Sequence, residues 1–173
     1  MNVIGIAGWS GAGKTTLLTR VIPRLTALGL KVSTIKHAHH AFDIDQPGKD
    51  SHTHRVAGAT EVLISSANRF ALMHELRGEP EFTLGALLAK LAPVDLVLVE
   101  GFKREAHPKL EVYRASVGKP LLAPDDANIV AIASDGPVAA RVPVVSLDDI
   151  DAVAELLVAK AQPRDAVLAR VHA

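Results

Sequence analysis

The chain has 173 residues, which suits one α/β domain with a single core. Its 19 basic residues balance 19 acidic ones, so bulk charge gives no indication of nucleic-acid or membrane binding. The absence of cysteine excludes disulfides, thiolate metal sites and a cysteine nucleophile. Apolar residues make up 49% of the chain and aromatic ones 3%, so we expect a Val, Leu, Ile and Ala core around a buried parallel sheet. The start of the sequence is not typical of a signal peptide and no apolar run is long enough to span a bilayer, so we expect a soluble, cytoplasmic protein.

The first predicted elements are an apolar strand over residues 3–7, a glycine-rich loop and a helix. The loop, GWSGAGKT at residues 8–15, matches the phosphate-binding pattern G-x-x-x-x-G-K-[ST] in the strand-loop-helix context that this pattern requires. Glycines let backbone N–H groups approach phosphate oxygens, and the helix N-terminus adds a partial positive charge. We expect Lys14 to reach the β- and γ-phosphates and Thr15 to bind Mg²⁺. The residues predicted to bind the phosphates are Gly8, Ser10, Gly11, Ala12, Gly13, Lys14, Thr15 and Thr16.

A second strand is predicted over residues 31–35, after a helix stop at Gly29. It leads into the segment Lys36-His37-Ala38-His39-His40. The carboxyl end of a parallel strand faces the ligand crevice, so Lys36 and His37 are candidate nucleotide contacts.

The polar segment over residues 41–54 has several interpretations, and a short helix is predicted over residues 51–57. It can be a solvated loop. It can be a switch-type loop that brings acidic residues, Asp50 among them, to the Mg²⁺ of a nucleotide. The histidines between His37 and His54 can instead form a zinc site, although their spacing fits no recognised ligand pattern. Finally, Lys36 and these histidines can bind an anionic substrate.

Two strand-like stretches, residues 61–65 and 70–74, are separated by a polar turn and predict an antiparallel hairpin. Such a hairpin forms either an edge of the sheet or a dimerisation surface. The next predicted helix starts after Thr83 and ends before Pro93.

The run Asp95 to Gly101 contains four consecutive apolar residues that end in an acid, Glu100. In phosphate-binding α/β proteins a carboxylate at this position contacts Mg²⁺, often through water, or positions the attacking water. Glu100 is therefore the candidate strand-end acid, and Gly101 begins a loop over the same crevice.

Further strands are predicted over residues 109–114, 128–133 and 143–145. Asp135 follows the second of these, and an acid at that position can accept hydrogen bonds from the N1–H and N2–H groups of guanine. Since the N-K-x-D pattern is absent, a simple turn residue is an equal alternative. Ser146 or Asp148 is expected to cap a last helix over residues 149–160.

Several of these stretches together resemble the molybdopterin-guanine dinucleotide biosynthesis adaptor proteins, the MobB family. They are residues 8–16, 36–40, 47–51, 54–55, 57–59, 98–103 and 133–135. The resemblance implies a P-loop NTPase fold, a three-layer α/β/α domain with a mostly parallel sheet, here over residues 1–161 with the hairpin added and residues 162–173 as a tail or an added helical turn. It implies a homodimer that binds GTP and Mg²⁺, has weak GTPase activity and assists the molybdopterin guanylyltransferase and other molybdenum-cofactor enzymes.

Site residues follow from the resemblance position by position. Lys14 and Glu100 take the catalytic roles, and Thr15, Glu100 and Asp50 are the expected metal contacts. The expected nucleotide contacts outside the loop are Lys36, His37, Asp50, Gly101 and Asp135. Two other functions fit the same motifs: a small-molecule kinase, and a metal-handling GTPase that uses the histidines.

Overall fold

The computed structural model describes residues 1–38 and 42–171, which divide into two compact units. The first unit contains residues 1–37 and 84–171, and the second contains residues 38–83 apart from the undescribed positions. The strands are β1 (Asn2–Ala7), β2 (Val32–Lys36), β3 (Glu61–Ser65), β4 (Phe70–His74), β5 (Leu96–Glu100), β6 (Lys109–Tyr113), β7 (Ile129–Ser134), β8 (Val144–Ser146) and β9 (Gln162–Pro163). The helices are α1 (Lys14–Ala27), α2 (Asp50–Val56), α3 (Leu84–Lys90), α4 (Ile150–Lys160) and α5 (Arg164–Val171).

The larger sheet belongs to the first unit and has seven strands within the described residues. Six of them lie in the order β2-β5-β1-β6-β7-β8, and every neighbouring pair in this order is parallel. Strands β1 and β5 are almost continuously apolar and buried, as expected for strands that helices cover on both faces. The carboxyl ends of the strands therefore meet at one edge of the sheet.

Two apolar clusters cover the two faces of this sheet. Alternate residues of β1 serve different faces, because Ile4 and Ile6 pack in one cluster and Val3 packs in the other. Helices α1 and α4 contribute Leu17, Leu18, Val21, Leu25, Val153, Ala154 and Leu157 to the first cluster, and α3 and α5 contribute Leu84, Leu88 and Val167 to the second. The predicted three-layer α/β/α fold is confirmed.

The cap of α4 differs from the expected one. Asp149 is the N-cap residue, and its Oδ1 accepts a hydrogen bond from the backbone N–H of Ala152 at 3.0 Å. The two alternatives predicted for the cap lie further back: Ser146 ends β8 and Asp148 follows in the turn, and the Ser146 hydroxyl accepts from the Asp148 N–H at 3.2 Å. A capping oxygen bonds the N–H two or three residues ahead, so only Asp149 satisfies the first turn of this helix.

Residues 162–171 form regular structure within the first unit. Strand β9 runs antiparallel to β1, with Asn2 opposite Pro163 and Val3 opposite Gln162. In the helix that follows, Val167 is fully buried within the second apolar cluster. This segment, expected as a tail or an added helical turn, is part of the core.

The second unit contains α2 and the predicted hairpin. Strands β3 and β4 pair antiparallel and, within the described residues, form a two-stranded sheet of their own. The hairpin is therefore confirmed, and it does not extend the edge of the larger sheet.

A partly buried arginine organises the polar part of the second unit. The Arg55 guanidinium lies 2.7 Å from Asp43 Oδ2, 3.3 Å from Asp45 Oδ2 and 3.3 Å from Glu75 Oε1. Asp45 Oδ1 also accepts from the Ser51 hydroxyl at 2.8 Å. Two carboxylates of the expected switch-type loop, those of Asp43 and Asp45, thus hold Arg55 and the start of α2 in place.

Strand β6 and the residue two positions before it carry three fully buried polar side chains, His107, Lys109 and Glu111. Lys109 Nζ lies 2.9 Å from Asp126 Oδ2 and 3.0 Å from the Lys103 carbonyl oxygen. Burial raises the pKa of Glu111, although its two oxygens accept hydrogen bonds from the N–H groups of Leu122 and Ala123. These partners compensate part of the cost of burying charged groups.

His107 makes the stability of the protein depend on pH. Burial, and secondarily the nearby Lys109 charge, lower its pKa to about 4 from 6.5. Neither ring nitrogen has a hydrogen-bond partner among the described residues, and a methyl group on Gly5 would lie 2.5 Å from Nε2. The folded state therefore favours the neutral ring. The contribution of this ring to the free energy of unfolding is complete above the unfolded pKa near 6.5 and is lost as the pH falls toward 4.

We expect the protein to lose about 2 kcal/mol of unfolding free energy through His107 between neutral pH and about pH 5. Urea unfolding at both pH values, with His107→Met as the comparison, measures this contribution. The variant keeps a side chain of similar size and cannot titrate, so its pH dependence should be shallower by that amount. Equal pH dependence in the two proteins would contradict the prediction.

None of the helices in the described part of the chain has the length and apolar character needed to cross a bilayer.

Candidate nucleotide-binding site

The candidate residues of the first unit gather at the carboxyl edge of its sheet. Five neighbouring strands, β2, β5, β1, β6 and β7, end there. Ligands of open α/β sheets bind outside the carboxyl ends of the strands, most readily at the point where the strand order reverses. The residues that directly follow these five strands are His37, Gly101, Gly8, Arg114 and Asp135.

The loop between β1 and α1 has the backbone of a phosphate cradle. Gly8, Gly11 and Gly13 have φ values of 140°, 82° and 94°. Gly8 also lies so close to β6 that an added Cβ would be 2.5 Å from the Val112 carbonyl oxygen. These positions therefore require glycine, for conformation at all three and for space at Gly8.

Lys14 lies at the start of α1 and folds back over the loop. Its Nζ donates to the carbonyl oxygens of Gly8 at 2.9 Å and Trp9 at 3.0 Å. Burial lowers the pKa of Lys14; the carboxylate of Glu100 opposes this effect, and the charges of Lys103 and Lys36 add to it. Three cations thus act on one small region, an environment that favours an anionic ligand.

Glu100, at the end of β5, is mostly buried, with 14% of its side chain exposed. Its Oε2 lies 3.6 Å from Lys36 Nζ, and its carbonyl oxygen accepts from the His37 N–H at 2.8 Å. Gly101 follows with a φ of 100°, and a Cβ there would lie 2.5 Å from the His37 Cβ. The structure therefore brings together Lys14, Lys36, Glu100 and Gly101, as the sequence predicts.

Asp135 is linked to the loop by Arg114, a residue that none of the sequence motifs includes. The Arg114 side chain donates from Nε to the Ala12 carbonyl oxygen at 3.1 Å, and its Nη1 lies 3.7 Å from Asp135 Oδ2. Asp135 Oδ1 accepts from the Ala115 N–H at 3.2 Å. A Cβ on Gly13 would lie 3.1 Å from Arg114 Nε, so the guanidinium packs directly on the loop.

The segment after Arg114 also contacts the loop. Trp9 donates from its indole N–H to the Pro120 carbonyl oxygen at 2.8 Å, and Lys119 Nζ lies 5.9 Å from the centre of the Trp9 ring. Two residues further along the chain, the N–H groups of Leu122 and Ala123 donate to the buried Glu111 carboxylate, which anchors the segment. Trp9, the only tryptophan of the chain, is thus a natural optical probe of this loop.

The remaining candidates lie as follows. Ser10, Thr15 and Thr16 are exposed around the loop, and Ala12 is buried within it. Asp50 begins α2 in the second unit, where it is exposed, and its role stays a prediction.

His39 and His40 lie outside the described residues. Among the described residues, no group of three or more His, Asp or Glu side chains can hold a metal ion, so the zinc interpretation finds no support there.

Comparison with known proteins identifies the family. Residues 3–135 match the family model described as Molybdopterin guanine dinucleotide synthesis protein B, MobB. The chain is 40% identical over 159 residues to the molybdopterin-guanine dinucleotide biosynthesis adapter protein of Escherichia coli, covering 90% of this chain and 91% of that protein. The chain belongs to the MobB family. The adapter protein of Haemophilus influenzae is 37% identical over 156 residues, covering 90% of this chain and 86% of that protein.

A solved structure of molybdopterin-guanine biosynthesis protein B (MobB) superposes with a TM-score of 0.72 at 27% identity, over 91% of this chain and 98% of the other. This MobB structure covers nearly the whole described fold. The resemblance found in the sequence motifs and the P-loop fold expected from it are therefore confirmed.

Proposed function

We propose that this MobB-family chain is a GTP-binding adapter with slow GTPase activity that, as a cytoplasmic homodimer, assists the transfer of a guanylyl group to molybdopterin. The observation that supports it most is the continuous arrangement of the phosphate loop, Arg114 and Asp135 along one edge of the sheet. It provides a phosphate cradle and, beside it, a carboxylate with the acceptor atoms that guanine requires.

The phosphates are expected to bind the backbone N–H groups of the loop and the ammonium of Lys14. Positive φ angles at Gly8, Gly11 and Gly13 and the start of α1 are the features that let loop N–H groups converge on phosphate oxygens. On binding, phosphate oxygens would replace the Gly8 and Trp9 carbonyl oxygens as the partners of Lys14.

Mg²⁺ fits the donors at this edge because they are oxygen atoms. The Thr15 hydroxyl is exposed at the first turn of α1, and the Glu100 carboxylate ends the neighbouring strand. Hydroxyl, carboxylate and phosphate oxygens are the ligands that Mg²⁺ prefers. The ion would neutralise phosphate charge, while Glu100 contacts it through water or orients the attacking water.

Calorimetric titration with GTP, ATP and GDP in the presence of Mg²⁺ tests this proposal. We expect GTP and GDP to bind at least about tenfold more tightly than ATP, since the base rather than the third phosphate is selected. Phosphate release should be slow and should change when the molybdopterin guanylyltransferase is added. Preference for ATP, with rapid turnover only in the presence of a small molecule, would instead indicate a kinase.

We further propose that the hairpin of the second unit carries the dimer interface. Leu63 and Leu72 lie opposite each other, 62% and 47% exposed, and Phe70 on the same face is 72% exposed. Both outer edges of an isolated two-stranded sheet have backbone groups that can pair with another strand. A second copy of the same hairpin would cover these apolar side chains and pair with an outer strand edge.

Leu72→Glu should convert the dimer to a monomer at micromolar concentration, because it places two carboxylates in an apolar interface. Sedimentation velocity measures the change. Val158→Glu is the matched control, since Val158 on α4 is 44% exposed, close to the 47% of Leu72. A dimer that survives Leu72→Glu, or is lost equally in both variants, would place the interface elsewhere.

A further inference from the structure

We infer that Arg114 is a positioning residue for guanine recognition, which orients the Asp135 carboxylate and ties it to the phosphate loop. This inference rests on the proposed GTP binding. Arg114 follows the end of β6 and lies 102 positions from Ala12 in the sequence, yet its Nε donates to the Ala12 carbonyl oxygen at 3.1 Å.

The two oxygens of Asp135 are held by consecutive residues. Oδ1 accepts from the Ala115 N–H at 3.2 Å, and Oδ2 lies 3.7 Å from Arg114 Nη1. The second distance suits an ion pair and exceeds a hydrogen bond, so the lone pairs of Oδ2 stay available to a ligand. A base that presents two adjacent N–H donors, as guanine does, fits the remaining acceptor capacity.

The charge of Arg114 acts on the same carboxylate. The guanidinium attracts this carboxylate and keeps it beside the loop, and a carboxylate accepts hydrogen bonds and donates none. The side chains of Arg114 and Asp135 are 35% and 28% exposed, so solvent screens this pair only in part.

The anchor on the loop explains why an arginine suits this position. The rigid fork of the guanidinium lets Nε bond Ala12 while Nη1 faces Asp135, a geometry that lysine cannot reproduce. Any shift of the loop backbone at Ala12 and Gly13 would therefore be passed to the base-reading acid.

The test measures GTP and ATP dissociation constants for Arg114→Met by calorimetry, with the Trp9 fluorescence change as a second readout. GTP affinity should fall about tenfold while ATP affinity stays within about twofold, because base recognition alone is impaired. Arg114→Lys, which keeps the charge without the fork, should retain part of the preference for guanine. Arg164→Met, which removes another partly exposed arginine paired with an acid, is the control and should change neither constant.

A double-mutant cycle separates this role from general weakening of the fold. If Arg114 acts through Asp135, Arg114→Met should add no further loss of the GTP-to-ATP ratio in the Asp135→Asn background. Equal losses of GTP and ATP affinity would show a phosphate contact and overturn the inference. An unchanged ratio in Arg114→Met would do the same. A wild-type protein that binds GTP and ATP alike would instead overturn the proposed function itself.

Discussion

Lys14→Ala should lower the affinity for GTP by about 100-fold or more while the protein stays folded. The ammonium is the one side-chain cation of the phosphate loop itself, and removing it costs charge-assisted hydrogen bonds worth about 3 kcal/mol in total. Its partners in the structure are two carbonyl oxygens of the loop itself, those of Gly8 and Trp9, so its removal acts on the loop and not on the apolar core. The fold should therefore keep its stability.

Calorimetry gives the dissociation constants, and Trp9 fluorescence gives an independent estimate. Lys31→Ala is the matched control because Lys31 is exposed before β2, at the amino edge of the sheet. Its GTP affinity should equal that of the wild type. If Lys14→Ala retains wild-type affinity, this loop does not bind the phosphates of the nucleotide.

Asp135→Asn should change which purine the protein prefers. The asparagine oxygen still accepts from the base N1–H, but its amide group donates and meets the donating N2 amino group of guanine. Xanthine has a carbonyl oxygen at that position. We therefore expect a loss of GTP affinity of about tenfold or more and a gain for xanthosine triphosphate, since hydrogen bonds to the buried edge of a base discriminate at this level.

Competition titrations with both nucleotides measure the exchange. Asp165→Asn, which alters an acid 87% exposed on α5, should bind as the wild type does. If Asp135→Asn leaves both affinities unchanged, Asp135 is a turn residue with no contact to the base.

Local patterns predicted those parts of the molecule whose geometry is set by neighbours in sequence. The glycine spacing of the loop, the alternation of the hairpin and the apolar run ending in Glu100 all appear in the structure where expected. Each depends on a period of a few residues, which a single sequence shows directly.

Long-range partners account for what was not predicted. Arg114 ends an alternating stretch typical of a half-exposed strand, and its role depends on Ala12 and Asp135, which come from other elements. Lys109 and Glu111 in the same strand are buried because Asp126 and the N–H groups of Leu122 and Ala123 meet them from a distant loop. Charged residues normally mark an exposed face, so their pattern indicated the opposite environment.

The pairing of β9 with β1 has a consequence for protein synthesis. Strand β6 pairs with Gly5 to Ala7 only, and β9 pairs with Asn2 and Val3. The strand that carries the phosphate loop is synthesised well before β9, which lies about 160 residues later in the chain. We therefore expect the nascent loop to stay immature until residues 162–171 have emerged, so a stalled chain ending before them would bind nucleotide poorly.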